Sequence, residues 1–181
     1  MIGVAADSTV PALLGCAAAA LEEAGIETAR PEAEWLLAGL LDVERFALYL
    51  EPTRRLTEAE AAHYRGLIER RARREPLQYL LGWEDFRGLR LAVTPDVLVP
   101  RPETEGLVEW ALEALAGRLD PVIADLGTGS GAIACALAAA LPRAEVLAVE
   151  LAGGALAVAS RNVRQLGLSE RVRLLAGDLF A

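Results

Sequence analysis

The sequence predicts an α/β chain in three parts. These are a helical N-terminal domain over residues 1–76, a β-hairpin linker over 77–100, and a partial doubly wound domain over 101–181 with three parallel strands and their helices. Three observations carry this prediction. Apolar residues recur at helical spacing up to Pro76, they alternate with period two from Leu89 to Val93, and from Thr104 onward short apolar runs alternate with helical stretches.

The first helix is expected to begin at Ser8 or Thr9, with Pro11 in its first turn, and to stop at Gly25. A second starts near Thr28 and carries Trp35, Leu36, Leu37, Leu40 and Leu41. A short third covers Glu44 to Leu50. The fourth opens with Thr57 and Glu60, spaced as a capping box in which hydroxyl and carboxylate each satisfy an orphan backbone donor, and Pro76 ends it. Arg87-Gly88, between Trp83–Phe86 and the alternating run after it, reads as a hairpin turn. A helix follows over Thr104–Ala116, with Leu107, Val108, Ala111, Leu112 and Leu115 expected inward. The remainder reads as strand 122–126, helix 132–141, strand 145–149, helix 155–166 and strand 172–176. That order implies a parallel sheet.

Composition narrows the function. The chain has 181 residues, 54% of them apolar, enough for a sizeable core. A net charge of −8 argues against nucleic-acid binding driven by phosphate neutralisation. Cys16 and Cys135 are too few for a disulfide framework and read as small buried residues in alanine-rich helices. Leu13-Leu14-Gly15-Cys16 imitates a lipoprotein cleavage site, but no Lys or Arg precedes Arg30, as a signal peptide requires. No run reaches a membrane span, so a cytoplasmic protein is expected. His63 has no companion that would suggest a metal site. Arg65, Arg70, Arg71, Arg73 and Arg74 form the concentrated basic surface, which reads either as a solvated helix face or as a docking surface for an acidic or ribonucleoprotein partner.

The chemistry concentrates in Val122–Leu137, VIADLGTGSGAIACAL. Strand, glycine turn and helix place Gly127, Gly129 and Gly131 where a ligand can approach backbone. Gly127-x-Gly129-x-x-Ala132 fits a dinucleotide fingerprint, with Glu150 spaced to meet a ribose. Against that, Asp125 stands just before the glycines, unfavourable for a pyrophosphate and favourable for an ammonium or sulfonium group. Asp178 follows the third strand and could accept from an adenine amino group. Asp125, Glu150 and Asp178 at three successive strand ends suit S-adenosylmethionine, which carries no phosphate.

Several stretches carry a resemblance: Pro76-Leu77-Gln78-Tyr79-Leu80-Leu81-Gly82, Phe86-Arg87-Gly88-Leu89, Val99-Pro100-Arg101-Pro102-Glu103-Thr104-Glu105, and Asp125 to Ala132. Ala155-Leu156 through Asn162 and Gly177-Asp178-Leu179-Phe180 fit too. On these, nearly the whole chain resembles the PrmC/HemK family, the release factor glutamine N5-methyltransferases, within the Rossmann-like class I methyltransferases. Asp-Leu-Gly-Thr-Gly-Ser-Gly is shared by many methyltransferases; the Pro-Arg-Pro-Glu-Thr-Glu stretch is far more specific.

The resemblance implies a helical domain that recognises class I peptide-chain release factors, and a catalytic domain that methylates the glutamine of their Gly-Gly-Gln motif in translation termination. It implies a cofactor site of Asp125, Gly127, Thr128, Gly129, Ser130, Gly131, Glu150, Asp178 and Leu179. It also implies an active-site wall of Pro100, Arg101, Pro102, Glu103 and Thr104. Glu150 stands where Asp is common, and Ala152-Gly153-Gly154 replaces a better helix start. The family's Asn-Pro-Pro-Tyr motif would fall about a dozen residues after Asp178 by that resemblance, beyond Ala181. The expectation is therefore a C-terminally truncated chain that is inactive alone, has no assignable catalytic residue, and can self-associate through an exposed sheet edge. Two alternatives stay open: a nicotinamide-dependent oxidoreductase, and a non-catalytic fragment that binds a release factor or the ribosome.

Overall fold

Thr9 lies in extended geometry before helix α1 (Val10–Glu23), and Pro11 sits in the first turn, where a missing N–H is harmless. The structure, a computed structural model, describes residues 8–178. Two units divide the chain, the first ending at Leu81 and the second beginning at Gly82.

The first unit continues with α2 (Ala29–Leu41), a 3₁₀ turn over Arg45–Tyr49, α3 (Glu58–Ala72) and the short α4 (Leu77–Leu81). The segment expected as hairpin linker therefore begins with a helical turn, which packs on α2 with Leu77, Leu80 and Leu81 against the helical core. The capping box forms as spaced: Glu60 N–H donates to Thr57 Oγ1 at 3.2 Å, and Thr57 N–H to Glu60 Oε2 at 2.7 Å. Leu13, Leu14, Leu21, Leu36, Leu37 and Ile68 close the core, each buried leucine contributing on the order of 2 kcal/mol. Cys16, expected inside, lies on the exposed face of α1, because Leu13, Leu14 and Ala17 take the inward stripe.

Polar ties set the register of these helices. The buried Tyr64 hydroxyl donates to the Ala33 carbonyl at 2.9 Å. Arg71 pairs with Glu32, with its Nη2 3.3 Å from Oε1, and Thr28 donates to the same carboxylate at 2.7 Å. Burial opposes the charge on Glu32, but the hydrogen bonds from Arg71 and Thr28 outweigh it and hold the carboxyl below its usual range. The basic cluster is thus largely occupied. Arg70 pairs with Glu75, Arg71 with Glu32, and Arg74 Nη2 donates to the Ala24 and Gly25 carbonyls at the end of α1.

The second unit opens with the hairpin β1 (Trp83–Phe86) and β2 (Leu89–Ala92). Arg87 and Gly88 both have positive φ, the turn geometry that matches strand twist. Arg87 also reaches α5 (Pro102–Ala114), its N–H donating to Glu105 Oε1 and its Nη1 to Glu109 Oε1, both at 3.1 Å. Strands β3 (Val122–Leu126), β4 (Glu145–Glu150) and β5 (Val172–Ala176) are parallel in the order β3-β4-β5, joined through α6 (Ala132–Ala140) and α7 (Gly153–Gln165). Arg171 donates to the Ala138 and Leu141 carbonyls, satisfying the end of α6. Phe86 and Leu91 of the hairpin share a core with Leu137, Val146, Val163 and Val172.

Helix α5 departs from expectation. Val108 is fully buried and Ala111 and Leu112 are partly so, but Leu107 is exposed, as is Trp110 beside it. Among the described residues, β3 has a strand partner on one side only, and Val122 and Leu126 stand exposed. The sequence pattern marked those positions as apolar correctly; nothing among the described residues covers them. No helix among the described residues is long and apolar enough to cross a membrane.

The Glu32 environment predicts an acid response. A carboxyl held below its unfolded range contributes stability above its ordinary value of 4.5, and loses it as pH falls through the lowered folded value. In urea unfolding at neutral pH, Glu32→Gln should be less stable than the parent. The gap should close as the pH is lowered past that window. A gap independent of pH would mean that the charge on Glu32 contributes nothing.

Candidate functional site

The glycine loop sits between β3 and α6 at the carboxyl end of the sheet. Gly127, Gly129 and Gly131 have φ of 76°, 56° and 80°, a region that costs other residues roughly 1–2 kcal/mol. A Cβ placed on Gly127 or Gly129 would meet nothing within 4 Å. These two positions therefore combine a left-handed backbone with open space in front of it. Gly131 differs: a Cβ there would rest 3.4 Å from Ala159, so it serves the packing of α6 on α7.

Most of the loop's N–H groups turn toward the protein. Gly127 and Thr128 N–H both donate to the Val149 carbonyl, at 2.9 and 3.0 Å. Gly129 N–H donates to Glu150 Oε2 at 2.9 Å, and Gly131 N–H to the Thr128 carbonyl at 2.8 Å. A phosphate-binding loop does the reverse and aims several free N–H groups at its anion. Here most of the donors are engaged and a carboxylate stands beside them.

Asp125, the acid before the glycines, is buried within β3. Its Oδ2 accepts from Thr128 Oγ1 at 2.6 Å and from Ala134 N–H at 3.2 Å. Ala134 is the third residue of α6, and the N-cap, Gly131, has no side chain. Asp125 therefore caps α6 from the neighbouring strand and ties the loop down through Thr128. The same charge, after burial, helps push the Cys135 thiol up to about 12, which leaves it an inert packing group.

Glu150 ends β4. Its Oε1 accepts from Leu151 and Ala152 N–H at 2.9 and 3.0 Å, while Oε2 holds Gly129. The hydrogen bond from Ala152, with those from Gly129 and Leu151, outweighs burial and keeps the carboxyl below its usual range. Its extra methylene relative to Asp spans from the strand end to the loop. Asp178 is exposed beyond β5, after Gly177 N–H has bonded the Glu150 carbonyl at 3.1 Å. Leu179 lies outside the described residues. Of the expected wall, Arg101 is the extended N-cap of α5 and Pro102 its first residue. Arg101, Pro102 and Glu103 are exposed, and Pro100 and Thr104 half-buried.

The weak start of α7 has a local reason. A Cβ on Gly154 would lie 2.8 Å from Asp96 Oδ1. The Asp96 side chain, which also accepts from Thr94 Oγ1 at 3.0 Å, packs on the first turn of α7 in the space that Gly154 leaves. Its charge lies at the positive helix end. The residue that sequence reasoning passed over as a site component is Asn162. It lies on the inward stripe of α7 with Ala155, Val158, Ala159 and Val163, and it is fully buried. A polar residue on that stripe was the available signal.

Comparisons with known proteins find relatives of both parts of the chain. Residues 12–82 match the PrmC N-terminal domain, and residues 123–181 match a methyltransferase domain. A release factor glutamine methyltransferase of Geobacter sulfurreducens is 48% identical over 88% of this chain and 55% of its own length. One from Moorella thermoacetica is 46% identical over 96% of this chain and 61% of its own length. The human MTRF1L release factor glutamine methyltransferase is 38% identical over 87% and 49%, respectively. The chain thus spans about half to three fifths of these relatives' length.

The loop geometry predicts two distinguishable mutant effects. Asp125→Ala removes the cap of α6 and the tie to Thr128, and should lower stability by about 1–2 kcal/mol in urea unfolding. Glu150→Gln offers the Leu151, Ala152 and Gly129 amides a single acceptor oxygen. It should leave α6 intact by amide exchange while the Gly129 amide loses protection.

Proposed function

Over the length it shares with them, this chain belongs to the release factor glutamine methyltransferase family, and from that premise we propose that it contributes the cofactor-binding part of a protein that methylates the glutamine amide nitrogen in the Gly-Gly-Gln motif of class I peptide-chain release factors. The family's cofactor is S-adenosylmethionine, which supplies an activated methyl group on a sulfonium centre. The observation that carries the reading is the inward turn of the glycine loop's amides beside two strand-end carboxylates. That arrangement suits a cationic ligand without phosphate and disfavours a pyrophosphate.

The residues fit the group. Gly127 and Gly129 leave uncovered backbone where the amino acid end would lie against the loop. Glu150, kept ionised and oriented by three amides, would accept from ribose hydroxyls with its remaining lone pairs. Asp178 would meet the adenine, a role that the family resemblance also implies for Leu179, the next residue in sequence. Asp125 acts on the ligand mainly through the loop that it anchors, and Thr128, Ser130 and Gly131 form the loop itself. Pro100 to Thr104 would wall the substrate side.

An amide nitrogen is a poor nucleophile because its lone pair is delocalised, so the reaction depends on holding the glutamine in line with the methyl group. The N-terminal domain is the proposed release-factor recognition element. Its arginines are mostly paired within the domain, which favours a shape-based over a charge-based contact. The proposed setting is the cytoplasm, where translation ends. Exposed Val122 and Leu126 along β3 would let the isolated chain self-associate.

Calorimetric titration tests the cofactor reading: S-adenosylmethionine should bind saturably and NAD should not. Binding of NAD alone would establish the oxidoreductase alternative instead. Deleting the gene from its cell tests the substrate. The Gly-Gly-Gln peptide of the release factors should then lose one methyl group by mass spectrometry, and an unchanged peptide would refute the assignment.

A further inference from the structure

Asn162 uses every hydrogen-bonding group of its side chain. Its Nδ2 donates to the Ala92 carbonyl at 3.0 Å and to the Ser130 carbonyl at 2.8 Å, and its Oδ1 accepts from Ala92 N–H at 2.6 Å. The hairpin register explains why Ala92 is available. Val93 N–H bonds back to the Gly82 carbonyl, and Trp83 pairs opposite Ala92. In an antiparallel ladder, bonded and non-bonded pairs alternate. Ala92 therefore turns its N–H and carbonyl away from β1, toward the outer edge of β2. The Asn162 amide meets both groups there, as a neighbouring strand's peptide would.

The third bond reaches the glycine loop. The Ser130–Gly131 peptide is held at both ends, its carbonyl by Asn162 and its N–H by the Thr128 carbonyl. The Thr128–Gly129 peptide, two links earlier, is likewise held, with Gly129 N–H on Glu150 and the Thr128 carbonyl on Gly131. Gly129 and its link to Ser130 lie between these two held peptides, so the path of the chain past the uncovered face of Gly129 is fixed from both sides. Val149 and Glu150 fix the loop from β4; Asn162 fixes it from α7 and joins it to β2.

We propose that Asn162 is a positioning residue: its buried side-chain amide locks the Ser130–Gly131 peptide to the hairpin edge and so sets the shape of the loop that receives the ligand. This rests on the reading of that loop as the cofactor site. Asn162 makes no contact with the ligand in this proposal; it acts through Ser130.

The test compares Asn162→Asp with Val163→Ala. Asn162→Asp keeps the size and the acceptor but removes both donors, whereas Val163→Ala trims the neighbouring buried residue of the same helix. Both are measured in the full chain, at a temperature where each is folded by circular dichroism. The readouts are amide exchange at Gly129, Ser130 and Gly131, and calorimetric titration with S-adenosylhomocysteine. Asn162→Asp should speed exchange at the loop amides at least tenfold beyond any global change and weaken binding about tenfold, the equivalent of 1.4 kcal/mol. Val163→Ala should change exchange uniformly and leave affinity within twofold. Loop exchange in Asn162→Asp no faster than in Val163→Ala would overturn the proposal. If the parent chain does not bind the ligand, the cofactor reading fails, and the exchange comparison still decides whether Asn162 positions the loop.

Discussion

The carboxyl end of β4 is the constraint on which the site depends. One backbone carbonyl, that of Val149, accepts from two successive loop amides, and the next residue, Glu150, holds a third with its side chain. Two residues of a central strand thus dictate the path of a loop that follows a different strand. This works because β3 and β4 run parallel and in register, Leu126 opposite Val149, so their ends lie side by side. A parallel sheet gathers its strand ends at one edge, and chemistry collects there.

The same economy appears in the helix starts. Neither α6 nor α7 has a capping side chain at its own N-cap. Asp125 caps α6 from β3, and Asp96 approaches the first turn of α7 from the segment after the hairpin. The acids that a sequence reader assigns to a ligand are therefore partly structural. Their charge is still felt at the loop, but a ligand would meet it through a surface that these acids have already shaped.

The strands, the hairpin and the capping box were legible because each depends on neighbours in sequence: period-two alternation, a two-residue turn, a hydroxyl and a carboxylate three apart. The glycine loop was legible for the same reason. What escaped was whatever depends on distant partners. Leu107 belongs to an apolar stripe yet is exposed, since local periodicity does not state what covers a stripe. The arginine run looked like a surface and proved to be largely bonded within its own unit, because Glu32 lies far back in the chain. Asn162 showed only as a polar residue on an inward face; its three partners come from two segments, 32 and 70 residues away.

The contact between Asp96 and Gly154 carries a consequence for how such sequences change over time. The acid fills the volume that a side chain at 154 would need, so position 154 is not free to grow while Asp96 stays as it is. A lineage that acquires a larger residue at 154, and with it a helix start of its own, would first have to shorten or redirect the residue at 96. The two positions, separated by the whole of α5, β3, α6 and β4, would then change in a set order, 96 before 154.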